Sequence, residues 1–159
     1  MAAKNSGQQK MSSFRVFDAP RELVFKMWTD PEYLAMWWGP KGFTNPVCEI
    51  GVQPGGRILI MMTAPDGSVY PMRGVFNEIV EPERIVFTAW PEDGQGNVVL
   101  EVTHTVTFVW ENDKTKQIIE TIVRNSTLPP EVYESEMNKG WNSSLEKLEA
   151  LLKELSLSR

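Results

Sequence analysis

The stretch PPEVYESEMNKGWNSSLEKLEALLKEL, residues 129–155, gives the clearest indication of the architecture. Its apolar residues recur every three or four positions, the spacing of one face of an α-helix. They are Tyr133, Met137, Trp141, Leu145, Leu148, Leu152 and Leu155. Thr127 is the predicted N-cap, and Pro129-Pro130 fits the first turn, where a missing N–H costs nothing. A helix with one apolar stripe must lie against another apolar surface, which the rest of the chain has to supply.

That surface is a predicted antiparallel sheet. Strand-type residues occupy six runs separated by short turns: residues 43–50, 57–63, 69–80, 84–90, 99–110 and 115–124. Parallel strands need long crossover connections, so neighbours joined by such short turns are antiparallel. In the fifth run, the residues Thr103, Thr105 and Thr107 alternate with Val102, His104, Val106 and Phe108. This alternation predicts one wet face and one covered face.

The N-terminal part completes the predicted architecture. Residues 1–11 are polar and read as a disordered tail, followed by a single domain over residues 12–156. A short strand at residues 13–18 leads to two short helices, which open at Pro20 and at Asp30-Pro31. The predicted fold class is therefore α+β. A curved antiparallel sheet of about seven strands wraps a long C-terminal helix, with two short helices after the first strand.

Composition excludes several classes of function. The net charge is −5 and the sixteen Lys and Arg are scattered, which argues against a nucleic-acid partner. The single cysteine, Cys48, cannot form a disulfide within the chain, and it is expected to be packed rather than reactive. The longest apolar run, residues 58–62, is far shorter than the ~20 residues that span a bilayer. We expect a cytoplasmic protein without membrane insertion.

A set of short motifs, in this order, resembles the stand-alone prokaryotic proteins similar to the C-terminal domain of the activator of the heat-shock protein 90 ATPase. The motifs are FDAPRELVF (17–25), WTDPE (28–32), WWGP (37–40), PGGR (54–57), PDG (65–67), RGVFNEI (73–79), PERIVFT (82–88) and GWNSSL (140–145). The resemblance implies the START-like, or SRPBCC, helix-grip fold. That superfamily includes lipid carriers, polyketide cyclases, hormone receptors and co-chaperones, so the fold does not fix the function.

The cleft between sheet and helix is the predicted site. A curved sheet closing on one helix leaves space at its widest point, and such clefts, of order 300–1,000 Å³, commonly bind apolar molecules. The candidate ligand-binding residues are Trp37, Trp38, Tyr70, Arg73, Trp90, His104, Glu120, Met137 and Trp141. No residue is assigned a catalytic role. With His104 the only histidine, neither a metal nor a cofactor is expected.

Several of these residues have a second interpretation. Trp37 and Trp38 either form a rim of the cleft or plug it as core residues. His104 either holds a polar ligand group or is a hydrogen-bonded core histidine. Arg73 and Glu120 either anchor a ligand or point to solvent. For the mid-helix glycine, Gly140, a close approach of the sheet or of a ligand is expected.

Three functions are compatible with the sequence. It favours a non-enzymatic protein that binds a small hydrophobic molecule. The alternative, from the resemblance, is a stress-related co-chaperone with a chaperone as partner. The third is a cyclase or hydrolase that uses His104 with Glu120 or Arg73. The expected state is a monomer or a weak homodimer.

Overall fold

The computed structural model describes residues 9–157, and this part of the chain folds into seven strands and three helices. Their order is β1 (Gln9–Phe17), α1 (Arg21–Thr29), α2 (Pro31–Trp37), β2 (Cys48–Ile50), β3 (Arg57–Thr63), β4 (Val69–Val80), β5 (Arg84–Pro91), β6 (Leu100–Glu111), β7 (Lys114–Ser126) and α3 (Pro130–Leu157). The predicted α+β helix-grip architecture is confirmed. None of these helices is long and apolar enough to cross a membrane.

The strands form one antiparallel sheet in the order β1-β7-β6-β5-β4-β3-β2. Asn112 and Asp113, both with positive φ, make the tight turn between β6 and β7, a turn that matches the twist of the flanking strands. The register shifts between Phe76 and Glu78 in β4 and between Glu101 and Val102 in β6. Such bulges bend a strand and increase its twist, so they help to make one face of the sheet concave.

The concave face is the covered one. In β6 the side chains of Val102, His104, Val106 and Phe108 are buried, and the threonines between them are half-buried. The helix α3 lies across this face with Leu145, Leu148 and Leu152 buried. The predicted alternation is therefore confirmed.

The short helices fill one end of the concavity with aromatic rings. Trp37 is fully buried, and its Nε1 donates to the carbonyl oxygen of Met27 at 3.0 Å. Trp28 donates from its Nε1 to Oε1 of Gln117 on β7 at 2.7 Å. The ring of Phe25 packs edge-on against Phe108 of β6, with 5.6 Å between centroids. These contacts attach α1 and α2 firmly to the sheet.

The first strand begins earlier than predicted. β1 starts at Gln9, so residues 9–11, placed in the disordered tail, belong to the sheet. They pair with residues 121–123 of β7, and Met11 packs against the core, which compensates for their polar composition. The remainder of the predicted tail, residues 1–8, lies outside the described residues.

Two further boundaries were predicted wrongly. The run 43–50 forms a strand only over Cys48–Ile50, because Pro46 has no N–H to donate, and Thr44 makes an isolated bridge to Thr63. Thr127 is not the cap of α3, since its hydroxyl donates to the carbonyl oxygen of Val99 at 3.3 Å. The first helical hydrogen bond instead runs from the N–H of Tyr133 to the carbonyl oxygen of Pro129.

Candidate functional site

A cavity of about 400 Å³ lies between the concave face of the sheet and the N-terminal half of α3. Its floor comes from the inward-facing positions of β3 to β6, which include Met62, Met72, Ala89, Val102 and His104. The helix contributes Tyr133, Met137, Gly140 and Trp141. The segment after α2 adds Trp38 and Phe43, and Tyr70 of β4 lies beside them. The lining is therefore apolar for the most part, with a few polar groups.

Trp38 forms the boundary between this cavity and the packed end of the domain. It lines the cavity on one side and, on the other, a void of only about 10 Å³ among core side chains. Its ring is nearly perpendicular to that of Trp141 on α3, with centroids 5.5 Å apart. Trp28 packs against both rings from within the core, at 6.1 Å and 5.8 Å. Three tryptophans thus form a rigid wall at the inner end of the cavity.

His104 is the polar group of the cavity floor. It is only 5% exposed, and its Nδ1 lies 2.8 Å from Oγ1 of Thr121 on β7. Its ring packs against Phe87 at 5.0 Å and, at right angles, against Trp141 at 5.3 Å. Burial lowers the pKa of His104 from 6.5 to about 4, so the imidazole is neutral at pH 7. A neutral ring has one donor and one acceptor nitrogen.

The charged lining residues are two glutamates, Glu92 and Glu136. Glu92 follows β5, its side chain is 11% exposed, and its Oε2 accepts from Nε of Arg73 at 2.9 Å. Glu136 on α3 is exposed and lies 3.9 Å from Nζ of Lys139. Across residues 9–157, no three His, Cys, Asp or Glu side chains come together in an arrangement that could hold a metal ion.

The structure separates the nine predicted site residues into two groups. Those that line the cavity are Trp38, Tyr70, His104, Met137 and Trp141. Those that do not are Trp37, Arg73, Trp90 and Glu120. In the strands the reason is alternation: Met72, Ala89 and Ile119 are buried on the concave face, so the residues that follow them face outwards.

The outward residues have other partners. Arg73 reaches the cavity only through Glu92, to which its 58% exposed side chain is bound. Glu120 lies 3.7 Å from Nζ of Lys10. Trp37, fully buried in the core, plugs the concavity rather than forming a rim.

Residues 18–153 match the model of the family described as Activator of Hsp90 ATPase homolog 1-like protein. The chain belongs to this family. The match spans nearly the whole sheet and α3, and therefore every element that lines the cavity. No curated protein matches the chain.

Solved structures of similar proteins support the same fold. A protein from Chromobacterium violaceum is 27% identical, with a TM-score of 0.76 over 90% of this chain and 96% of that one. One from Arthrobacter aurescens is 26% identical, with a TM-score of 0.81 over 91% of this chain and 86% of that one. The AHSA1 protein from Silicibacter pomeroyi, at 24% identity, has a TM-score of 0.77 over 95% of this chain and all of that one.

Some cavity residues of this family member escaped the sequence reasoning. Val102 was predicted on the covered face with His104 but was not proposed as a lining residue. Met72 and Ala89 face the same way through the pairing of β4, β5 and β6, so strict alternation could have identified them. No alternation pattern could have identified Glu92 and Glu136 as lining residues. The first follows the end of a strand, and the second is on the exposed side of a helix.

Gly140 is not explained by the close packing that the sequence suggested. A Cβ built on this residue would meet no atom within 4 Å, because it would project into open space. Gly140 lines the cavity beside Trp141, so the missing side chain enlarges the space under α3. Glycine in a helix interior costs about 1 kcal/mol relative to alanine, and no packing contact here offsets that cost.

The segment after α2 is held to α3 by polar contacts from residues just beyond Gly140. The Oγ of Ser144 donates to the carbonyl oxygen of Gly39 at 2.9 Å. The N–H of Lys41 donates to the Oγ of Ser143 at 2.6 Å. Nζ of Lys147 donates to two carbonyl oxygens of the same segment. These contacts fix the position of Trp38, and with it one wall of the cavity.

Proposed function

We propose that this protein binds a small hydrophobic molecule in the cavity between the sheet and α3. The observation that carries the proposal is the cavity of about 400 Å³, lined mostly by apolar side chains, whereas the void on the other side of Trp38 measures only about 10 Å³. Spaces of this size and composition are typical of small-molecule sites. Burial of apolar ligand surface there supplies the binding free energy.

The side chains of the lining suit a ligand with at least one flat ring. Trp38, Trp141 and Tyr70 present aromatic rings, which stack or pack edge-on with other rings. Met62 and Met137 are flexible and polarizable, so they can adapt to ligands of different shape. This combination supports recognition by shape and apolar contact.

The first test is direct detection of a ligand. Native mass spectrometry of the protein purified from its own cells, followed by organic extraction, is expected to reveal a bound small molecule. Titration of the emptied protein with a naphthalene-type probe should then shift the NMR signals of Trp38, Trp141 and Met137. If no apolar probe perturbs these signals, the proposal is wrong.

A pair of variants links binding to the cavity. In Gly140→Leu the new side chain occupies open space beside Trp141, and we expect at least about tenfold weaker probe binding. The control is Asn138→Leu, which adds the same side chain at an exposed position outside the lining. Equal binding by the two variants would mean that the probe does not enter this cavity.

Family membership supports a second candidate function, an interaction with a chaperone ATPase. The test is the ATP turnover of purified heat-shock protein 90 with increasing amounts of this protein. Stimulated turnover together with a complex in sedimentation would support it. Unchanged turnover with no complex would exclude it.

A further inference from the structure

The charged and polar groups of the cavity restrict which hydrophobic molecules it accepts. Among the lining residues of the described chain, Glu92 and Glu136 are the only charged ones, and both are acidic. The basic side chains nearest to them, Arg73 and Lys139, are 58% and 77% exposed and do not line the cavity. The lining therefore offers no cationic side chain to a bound anion, and Lys147, which lies close to the lining, donates to the carbonyl oxygens of Trp38 and Pro40.

Glu92 is held in place by more than one contact. Arg73 donates from its Nε to Oε2 at 2.9 Å, and the backbone N–H of Glu92 donates to the carbonyl oxygen of Pro71 at 3.0 Å. With its side chain 11% exposed, this carboxylate cannot easily turn away from an incoming ligand. It is a fixed acidic feature of the lining.

The N-terminal half of α3 adds to the negative potential. The pKa of Tyr133, which lines the cavity, is raised by burial and then by the charges of Glu134 and Glu131. Both carboxylates thus act on a group that a ligand would touch. Together with Glu92 and Glu136, they disfavour a ligand carboxylate or phosphate.

At the floor of the cavity, one polar atom is unused. Nδ1 of His104 bonds to Oγ1 of Thr121, whereas Nε2 has no hydrogen-bond partner within residues 9–157. In this part of the chain, the fully buried side-chain atoms that lack a partner belong to Arg21, Asn45 and Gln117. Since Nε2 of His104 also lacks a partner but is not among them, it retains some accessible surface. A hydroxyl can either donate to or accept from a neutral imidazole nitrogen.

We infer that the cavity is selective for uncharged, ring-containing molecules with a hydroxyl group that bonds to Nε2 of His104, and that it rejects carboxylates of the same shape. This inference rests on the proposed function, since it assigns the class of ligand to that same site. The hydroxyl satisfies the unused nitrogen, and the apolar ring fills the space between Trp141 and the sheet. A carboxylate would lose its hydration without gaining a cationic partner.

The test compares three probes that share one ring system: 2-naphthylmethanol, 2-methylnaphthalene and 2-naphthoate. We expect the alcohol to bind the wild-type protein about fivefold more tightly than the hydrocarbon, the value of one net hydrogen bond. The carboxylate should bind at least about tenfold more weakly than the hydrocarbon. Dissociation constants come from quenching of tryptophan fluorescence, and NMR is expected to show a larger shift of the imidazole ¹⁵N signal with the alcohol than with the hydrocarbon.

Variants separate the two parts of the inference. His104→Leu should lower the ratio of the affinity for the alcohol to the affinity for 2-methylnaphthalene from about five to about one. Glu92→Gln should reduce the difference in affinity between the carboxylate and the hydrocarbon. Glu120→Gln, which lies outside the lining, should leave this difference unchanged. If His104→Leu does not fold, the order of the three affinities for the wild-type protein still tests the inferred selectivity.

The outcomes distinguish this inference from the proposed function. If 2-methylnaphthalene binds and the carboxylate binds as tightly as the alcohol, the inferred selectivity is wrong and the hydrophobic site stands. If none of the three probes binds, both the selectivity and the site are refuted. An unshifted imidazole signal with bound alcohol would refute the role of His104.

Discussion

The two halves of α3 cover the same sheet with opposite results. The C-terminal half, with Leu145, Leu148 and Leu152 all at most 5% exposed, is packed onto the core. The N-terminal half, with Met137 and Trp141, spans a cavity of about 400 Å³. Both halves carry the same three-to-four spacing of apolar residues. This spacing therefore does not account for the difference, although Gly140 removes one side chain from the N-terminal half.

The difference comes from what lies between helix and sheet. At the packed end, α1 and α2 insert Phe25, Trp28 and Trp37 into the concavity. Phe25 and Trp28 pack against Phe108 of the sheet, and Trp28 packs against Trp37. At the open end no such element is inserted among the described residues, and side chains such as Trp38, Tyr70 and Trp141 border the space without filling it. The comparison teaches that a curved sheet keeps an open cavity where the inserted helices stop.

The largest expected effect tests the packed end. Trp37→Ala should lower the free energy of unfolding by about 4 kcal/mol, because it leaves a void in a closed core. Trp141→Ala, at the cavity wall, should cost clearly less, since one side of this ring already faces space. Urea unfolding followed by far-UV circular dichroism measures both. Equal losses would show that the open end is as tightly packed as the closed one.

The second prediction tests whether the floor of the open end is dry. The pKa of His104 is about 4 when folded and 6.5 ordinarily, so between these pH values the unfolded chain binds more protons. Stability should therefore fall as the pH drops from about 6.5 to about 4, by about 3 kcal/mol from this group. Its ring and hydroxyl neighbours, Phe87, Trp141 and Thr121, are uncharged.

The measurement is the difference in unfolding free energy between wild type and His104→Gln at several pH values. The carboxylates titrate in both proteins, so their contributions to the pH dependence of stability largely cancel in this difference. A difference that does not change with pH would indicate a hydrated imidazole and a wet cavity floor.

The third and smallest effect compares two glycines. A Cβ on Gly74, in β4, would lie 2.6 Å from the carbonyl oxygen of Thr88, so Gly74→Ala should destabilise by about 2 kcal/mol. A Cβ on Gly140 meets nothing within 4 Å, so Gly140→Ala should stabilise by about 1 kcal/mol. Thermal unfolding of the wild type and of both variants shows whether each substitution stabilises or destabilises the protein. A destabilising Gly140→Ala would contradict the open space under α3.

Whether a side chain could be assigned to a face of the sheet from the sequence depended on the residues around it. His104 could be placed on the covered face because threonines and apolar residues alternate strictly around it. Arg73 and Trp90 could not be oriented, since each lies between residues that are compatible with either face. The adjacent Trp37 and Trp38 separate because the helix ends at the first, and the extended backbone of the second (φ −68°, ψ 139°) redirects its ring.

The cavity itself was predicted only in outline. Its existence follows from a curved sheet over one helix, whereas its volume is the space that many side chains leave unfilled. The acidic lining was not predicted, because Glu92 and Glu136 are far apart in the sequence and come to line the same cavity only in the folded structure. Gly140 was noticed from the sequence, but its surroundings could not be known there.

The hydrogen bonds between α3 and the segment 39–41 determine which wall of the cavity is free to move. Any outward movement of that segment must break the contacts of Lys41 with Ser143, of Ser144 with Gly39 and of Lys147 with Pro40. Bending α3 at Gly140 breaks none of them, because all three partners on the helix lie on its C-terminal side. Of the two walls, residues 130–139 can therefore move without breaking any of these three contacts, whereas the segment 39–41 cannot.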